Sequence, residues 1–118
     1  MILLLNKTTP KPGVTVVHMK GSIHSGPDCR RVEQEIEQVI GAKSTLVILD
    51  LTEVTHIDSA AIGSIVRCFT RVKNNGGRLC LSGCAGMIEA SIKLTRLDKV
   101  LELFPTYAAA AEKYSAAS

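Results

Sequence analysis

The side chains best placed to do chemistry in this 118-residue sequence lie in Ile57-Asp58-Ser59-Ala60-Ala61-Ile62-Gly63. Aspartate is a favoured helix N-cap, because its carboxylate accepts hydrogen bonds from the free amides of the first turn. Ser59 then falls within that turn, where the helix dipole and unpaired N–H groups favour a negative group. A phosphate on Ser59 would be tolerated there while adding about −1.5 to −2 charge beside Asp58. The pair therefore reads in two ways: a plain helix cap, or a hydroxyl whose modification changes what the surface binds without undoing the fold.

Other residues invite stronger chemistry and fall short of it. His24, His56 and Asp58 raise the question of a serine nucleophile. Such a nucleophile usually stands on a strained elbow of the form Gly-x-Ser-x-Gly, and nothing in Ile57-Asp58-Ser59-Ala60-Ala61 sets a base against Ser59. Catalysis is not expected. His18 reads as a packed or edge histidine and His56 as a loop-surface residue. Cys80-Leu81-Ser82-Gly83-Cys84 has a Cys-x₃-Cys spacing, but no second ligand pair matches it, so core packing is expected and no metal. Ser82-Gly83-Cys84-Ala85-Gly86 could shape an anion-friendly turn at a helix start, although a lone Gly-rich turn is a weak signal. There is no Gly-x-x-x-x-Gly-Lys-Ser/Thr loop, no kinase motif set and no Mg²⁺-binding carboxylate cluster. Phosphoryl transfer would need ATP held by a partner, with Ser59 as the accepting hydroxyl, and no cofactor of the chain's own is expected.

Alternating apolar strands and amphipathic helices must position these residues. Strands are expected over Ile2 to about Lys7, Val14 to about Lys20, Thr45–Leu51, Arg78–Ser82 and Val100–Leu103, the first two joined by a Pro10/Pro12/Gly13 turn. Thr45–Leu51 is nearly continuous in apolar residues, the look of a strand buried on both faces. Ser25-Gly26-Pro27-Asp28 signals a helix start, with a capping hydroxyl, Pro in the first turn and an acid after it. Cys29, Val32, Ile36, Val39 and Ile40 then form one stripe that Gly41 ends. A second helix is expected from about Ser59 to Asn75, with Ile62, Ile65, Val66, Phe69 and Val72 facing inward. Third and fourth helices fall at roughly Ala85–Leu94 and Thr106–Tyr114, and Ser115–Ser118 are expected to fray. The order β-β-α-β-α-β-α-β-α implies an α/β fold: one mixed, largely parallel sheet of about five strands with about four helices. On the second helix Ser64, Arg67, Arg71 and Asn74 recur at spacings of three and four, giving one outward polar face with two guanidinium groups.

Composition narrows the function classes. The length suits a single domain spanning 1–118, and nine glycines and four prolines rule out fibrous or low-complexity chains. The net charge of +3, from 14 basic and 11 acidic residues, is too balanced for a nucleic-acid footprint, and 3% aromatics leave few base-stacking platforms. The apolar run Ile2–Leu5 lacks a basic flank before it and meets Lys7, unlike a signal peptide. No run of about 18 apolar residues marks a membrane span. The four cysteines, Cys29, Cys68, Cys80 and Cys84, are therefore expected as reduced thiols in a cytoplasmic protein.

Asp50-Leu51 followed by Asp58-Ser59-Ala60-Ala61-Ile62-Gly63 resembles the signature of STAS domains, the anti-sigma factor antagonists of bacterial partner switching. Gly21 after the second strand, Asn75-Gly76-Gly77-Arg78 before the fourth and Leu94-Thr95-Arg96-Leu97-Asp98-Lys99-Val100 before the fifth extend the resemblance over nearly the whole chain. It implies a regulatory, non-enzymatic protein that docks onto an anti-sigma factor, often a serine kinase of histidine-kinase-like type. That kinase would phosphorylate Ser59 and lower affinity, and a phosphatase would restore it. The docking surface implied comprises His24, Asp58, Ser59, Ala60, Ala61, Gly63, Ser64, Arg67 and Arg71, the two arginines meeting acidic partner residues. Three positions depart from the family pattern. Ala61 stands where Gly is common, His24 where an acid is frequent, and Arg96 where Gly is usual, so the turn at Arg96 is expected to differ locally. The alternatives are a STAS module of another assembly, such as a stress-signalling scaffold or lipid-transport accessory, or a small nucleotide- or ligand-binding domain.

Overall fold

The computed structural model describes residues 2–115, so the expected fraying of 116–118 lies outside the described residues, while Ser115 ends the last helix. The chain forms β1 (Leu4–Lys11), β2 (Val14–Ile23), α1 (Pro27–Gly41), β3 (Leu46–Ile57), α2 (Ser59–Asn74), β4 (Arg78–Ser82), α3 (Gly86–Leu94), a 3₁₀ turn (Leu97–Lys99), β5 (Leu103–Phe104) and α4 (Tyr107–Ser115). One five-stranded sheet runs in the order β1-β2-β3-β4-β5, antiparallel between β1 and β2 and parallel thereafter. The expected α/β architecture is the one observed.

Strand pleating divides the core. Val17, Met19, Val47, Leu49, Leu79 and Leu81 point to one face, where they meet Cys29, Val32 and Ile36 of α1, Ile65, Cys68 and Val72 of α2, and Ile88 and Ile92 of α3. Their alternate neighbours Val14, Val16, Leu46, Ile48 and Cys80 point to the other face and pack on Ala110 and Ala111 of α4. Successive right-handed crossovers in a sheet of sequential order put α1, α2 and α3 on one face. Among the described helices, α4 alone, leaving the far edge, covers the back. This is why Leu46–Leu49 is apolar at every position: both of its faces are covered. The four cysteines are free; Cys29, Cys68 and Cys80 are buried and Cys84 half-buried, which answers the Cys-x₃-Cys spacing as packing.

Several boundaries move. β1 begins at Leu4 and runs to Lys11, so Pro10 lies in the exposed edge strand and Pro12-Gly13 alone make the turn. Gly13 holds φ +79, and its carbonyl accepts from Thr45 N and Leu46 N at 2.8 and 3.0 Å, tying the hairpin to the start of β3. β5 is two residues, Leu103–Phe104, with Val100 at the end of the 3₁₀ turn. Arg96 takes the left-handed conformation itself (φ 60, ψ 22), so the turn keeps the geometry a glycine would give it. Ser25 does not cap α1: the N-cap is Gly26, with no side-chain cap.

The largest change concerns β3, which does not give way to a loop after Leu51 but continues to Ile57. His18 pairs with Asp50 and Lys20 with Glu53, then Gly21 with Val54 and Ser22 with His56, so β3 carries one extra residue at each of two bulges. Burial along the extension falls on Leu51, Val54 and Ile57, every third residue. A bulge inserts an unpaired residue and so converts the two-residue period of a strand into three. The bulged extension delivers the chain to Asp58 at the end of the sheet where the parallel strands finish.

Candidate functional site

Asp58 caps α2 as its type and position require. Its Oδ1 accepts from Ala61 N at 2.8 Å and its Oδ2 from Ser25 N at 2.9 Å, so one carboxylate ties the β3–α2 junction to the β2–α1 loop. Asp58 N donates to Ile23 O at 3.3 Å across the same gap. The N–H of Ala61, then that of Ser25, hold the Asp58 carboxyl below its ordinary value, with the nearby His24 adding to them. In the adjoining loop Asp28 Oδ2 accepts from His24 N at 3.0 Å, which fixes the backbone beneath the His24 ring. Ser59, the first residue of α2, is exposed, and its hydroxyl makes no hydrogen bond among the described residues. No base is set against it, so the arrangement is not a nucleophile with its general base.

The residues proposed to share a surface separate into three groups. His24, Asp58, Ser59 and Ala60 form an accessible corner at the C-terminal ends of β2 and β3, the edge where ligands of open parallel sheets are commonly met. Ala61 and Ser64 are buried, at 0% and 1% exposure, which corrects the expectation of an outward Ser64. Ser64 Oγ donates to Glu33 Oε2 at 2.8 Å, so it faces α1 and not solvent. Gly63 is half-buried beside Arg67. Arg67 and Arg71 are exposed but already paired: Arg67 Nη2 lies 3.1 Å from Glu33 Oε2, and Arg71 donates from Nε and Nη2 to the two Glu37 oxygens, each at 2.7 Å. The hydrogen bond from Arg67 holds the Glu33 carboxyl below its ordinary value against the effect of burial.

Glu33 and Glu37 were not singled out from the sequence, and Ser25 was read only as a cap of α1, not as a partner of Asp58. The glutamates carried a usable signal, since Glu33–Arg67 and Glu37–Arg71 share one offset of 34 residues, the mark of two helices lying side by side. Ser25 carried none, because it acts through its backbone N–H.

A second polar cluster lies on the back of the sheet. Asp50, 9% exposed, accepts from Thr52 Oγ1 at 2.6 Å, Thr52 N at 3.2 Å and Ser82 Oγ at 3.3 Å through Oδ1, while His18 Nδ1 lies 2.9 Å from Oδ2. The other ring nitrogen, Nε2, meets Thr8 Oγ1 at 2.9 Å, and Tyr107 stands edge-on to the ring at 5.1 Å. His18 is thus the packed histidine its strand position predicted. Burial raises the Asp50 carboxyl, but the hydrogen bonds of Thr52 and His18 outweigh it and leave it below its ordinary value.

Among the described residues, no helix is long and apolar enough to cross a membrane, and no three His, Cys, Asp or Glu side chains converge as a metal cage. A protein of Thermotoga maritima, provisionally named an anti-sigma factor antagonist, is 30% identical over 67 residues, which span 57% of this chain and 59% of that one. The crystal structure of an anti-sigma factor antagonist from Mycobacterium paratuberculosis superposes with a TM-score of 0.82 at 22% identity, covering 95% of this chain and 93% of that one. The phosphorylated form of the Bacillus cell fate determinant SpoIIAA superposes at 0.73 with 14% identity, covering 93% and 98%. The model of the STAS domain matches residues 7–110, from β1 through the Asp58–Ser59 corner into α4, and the chain belongs to the STAS domain family.

Proposed function

We propose that this chain is an anti-sigma factor antagonist whose docking surface is the corner formed by His24, Asp58, Ser59 and Ala60, and that phosphorylation of Ser59 releases the partner. The observation that carries the reading is the exposed Ser59 hydroxyl in the first turn of α2, next to a carboxylate already locked by two backbone amides. Because Asp58 holds the cap, a dianion on Ser59 leaves the helix start intact. Its effect falls on whatever approaches the corner, through added negative charge and bulk. The names of the relatives point the same way, and SpoIIAA, a more distant structural neighbour, is known in a phosphorylated form. The partner is an anti-sigma factor with serine kinase activity that brings its own ATP. Its γ-phosphoryl group passes to Ser59 Oγ, ADP leaves, and the hydroxyl proton goes to a base of the kinase. The chain acts in this step as substrate, not catalyst.

Arg67 and Arg71 take a smaller part in this reading than their spacing on α2 implied. Glu33 and Glu37 neutralise them on the same surface, so their steering of an acidic partner is weak. The test is to incubate the protein with a cognate anti-sigma kinase and ATP, then read phosphate by mass spectrometry. One phosphate at Ser59, with loss of the complex, is expected. A stable complex that leaves Ser59 unmodified would contradict the proposal.

A further inference from the structure

Two imidazoles share the corner with Asp58 and take no part in the helix cap. His24 follows the last residue of β2, and His56 is the penultimate residue of β3 on the adjacent parallel strand. Both are exposed, their ring centroids are 5.2 Å apart with the planes tilted by 38°, and Asp58 Oδ2 lies 3.9 Å from His24 Nδ1. Aromatic pairs that stack for their own sake favour offset-parallel or edge-to-face arrangements, and this tilt is neither. A Zn–N bond of about 2.0–2.1 Å sets a metal about 3.2 Å from the centre of each ring, so two imidazoles on one tetrahedral ion have centroids about 5.2 Å apart. The observed separation matches the one such a pair would have. Because both side chains are exposed, rotation about their side-chain torsions can bring one nitrogen of each toward a common point while the strands stay in place.

We propose that His24 and His56 form an open two-histidine site for a first-row divalent metal, Zn²⁺ foremost, above the Asp58–Ser59 corner. Imidazole nitrogens suit zinc, nickel and copper over magnesium or calcium. With no third side chain closing a cage among the described residues, the remaining positions are left to water or to an anionic group, which in this place means a carboxylate or phosphate arriving at the corner. The thiols offer little competition: burial pushes Cys68 and Cys80 up to about 12 and Cys84 to about 11, and it raises Cys29 too, whose Sγ donates to His24 O at 3.3 Å, so they stay protonated at neutral pH. The inference stands whether or not Ser59 is ever phosphorylated.

Isothermal titration of the full chain with zinc chloride tests it, comparing wild type with His24→Ala, His56→Ala and, as a control at the other histidine, His18→Gln. One equivalent of Zn²⁺ is expected to bind wild type and His18→Gln alike, and each of the other two variants about ten-fold or more weakly. Imidazole ¹⁵N resonances, which do not depend on the variants, should shift for His24 and His56 and not for His18. Absence of binding at millimolar zinc, equal affinity in all four proteins, or shifts confined to Cys84 or His18 would overturn the proposal.

Discussion

His18 with Asp50 and His24 with Asp58 use the same two side-chain types on the same two strands, the first pair midway along β2 and β3 and the second just past their ends, and they are opposite in build. In the first pair the atoms are 2.9 Å apart and the side chains 26% and 12% exposed; in the second they are 3.9 Å apart and 50% and 32% exposed. Asp50 is surrounded by four donors, two of them from Thr52 in the bulge of β3, while Asp58 accepts from backbone amides and leaves His24 loosely held. A buried carboxylate must be fully satisfied or the fold suffers. An exposed one has water as an alternative partner. The back pair is therefore a structural fixture and the front pair a surface free to meet something else.

The largest expected difference lies at the carboxylates. Asp50→Ala leaves Thr52, Ser82 and His18 without their acceptor and should cost about 3 kcal/mol, whereas Asp58→Ala, the loss of an N-cap, should cost about 1 kcal/mol. Urea unfolding monitored by circular dichroism measures both. Equal losses would erase the distinction.

Acid sharpens it. Both carboxyls lie below the ordinary value of 3.8, so the stability they contribute is full at higher pH and is lost as pH falls through the lowered native value. The unfolding midpoint should be flat with respect to these groups above about pH 5 and drop below about pH 4. Asp50→Asn should flatten that acid limb more than Asp58→Asn does, and a limb unchanged in both variants would remove these two groups as its source.

The serines of α2 provide the smallest contrast. Ser64→Ala, which takes away the buried donor to Glu33, should cost about 1 kcal/mol. Ser59→Ala, at an exposed hydroxyl, should lie within about 0.5 kcal/mol of wild type. A large loss at Ser59 would mean that the hydroxyl belongs to the fold.

The sequence made the frame of the molecule plain wherever periodicity was intact. The apolar run Leu46–Leu49 announced a strand covered on both sides, and Asp58-Ser59 announced the start of α2, because both rest on local rules. What stayed hidden depended on contacts between distant segments. The β3 extension reads Leu51, Val54, Ile57, a spacing of three that suits neither a flat strand nor a helix face, and only pairing with β2 explains it. Ser64 looked outward because Arg67 and Arg71 do. Ser64 is buried against α1, however, and donates to the same Glu33 carboxylate that pairs with the longer, exposed Arg67. Arg96 in left-handed geometry was hidden too, since the strain is held by the surrounding turn and leaves no trace in residue type.

The most direct test of a docking corner set apart from the stabilising core is a pair of readings on Ser59→Asp: its affinity for the anti-sigma kinase by isothermal titration, and its urea midpoint. Weakened binding with an unchanged midpoint is the predicted result. Undiminished affinity, or a loss of affinity that merely tracks a loss of folded protein, would contradict it.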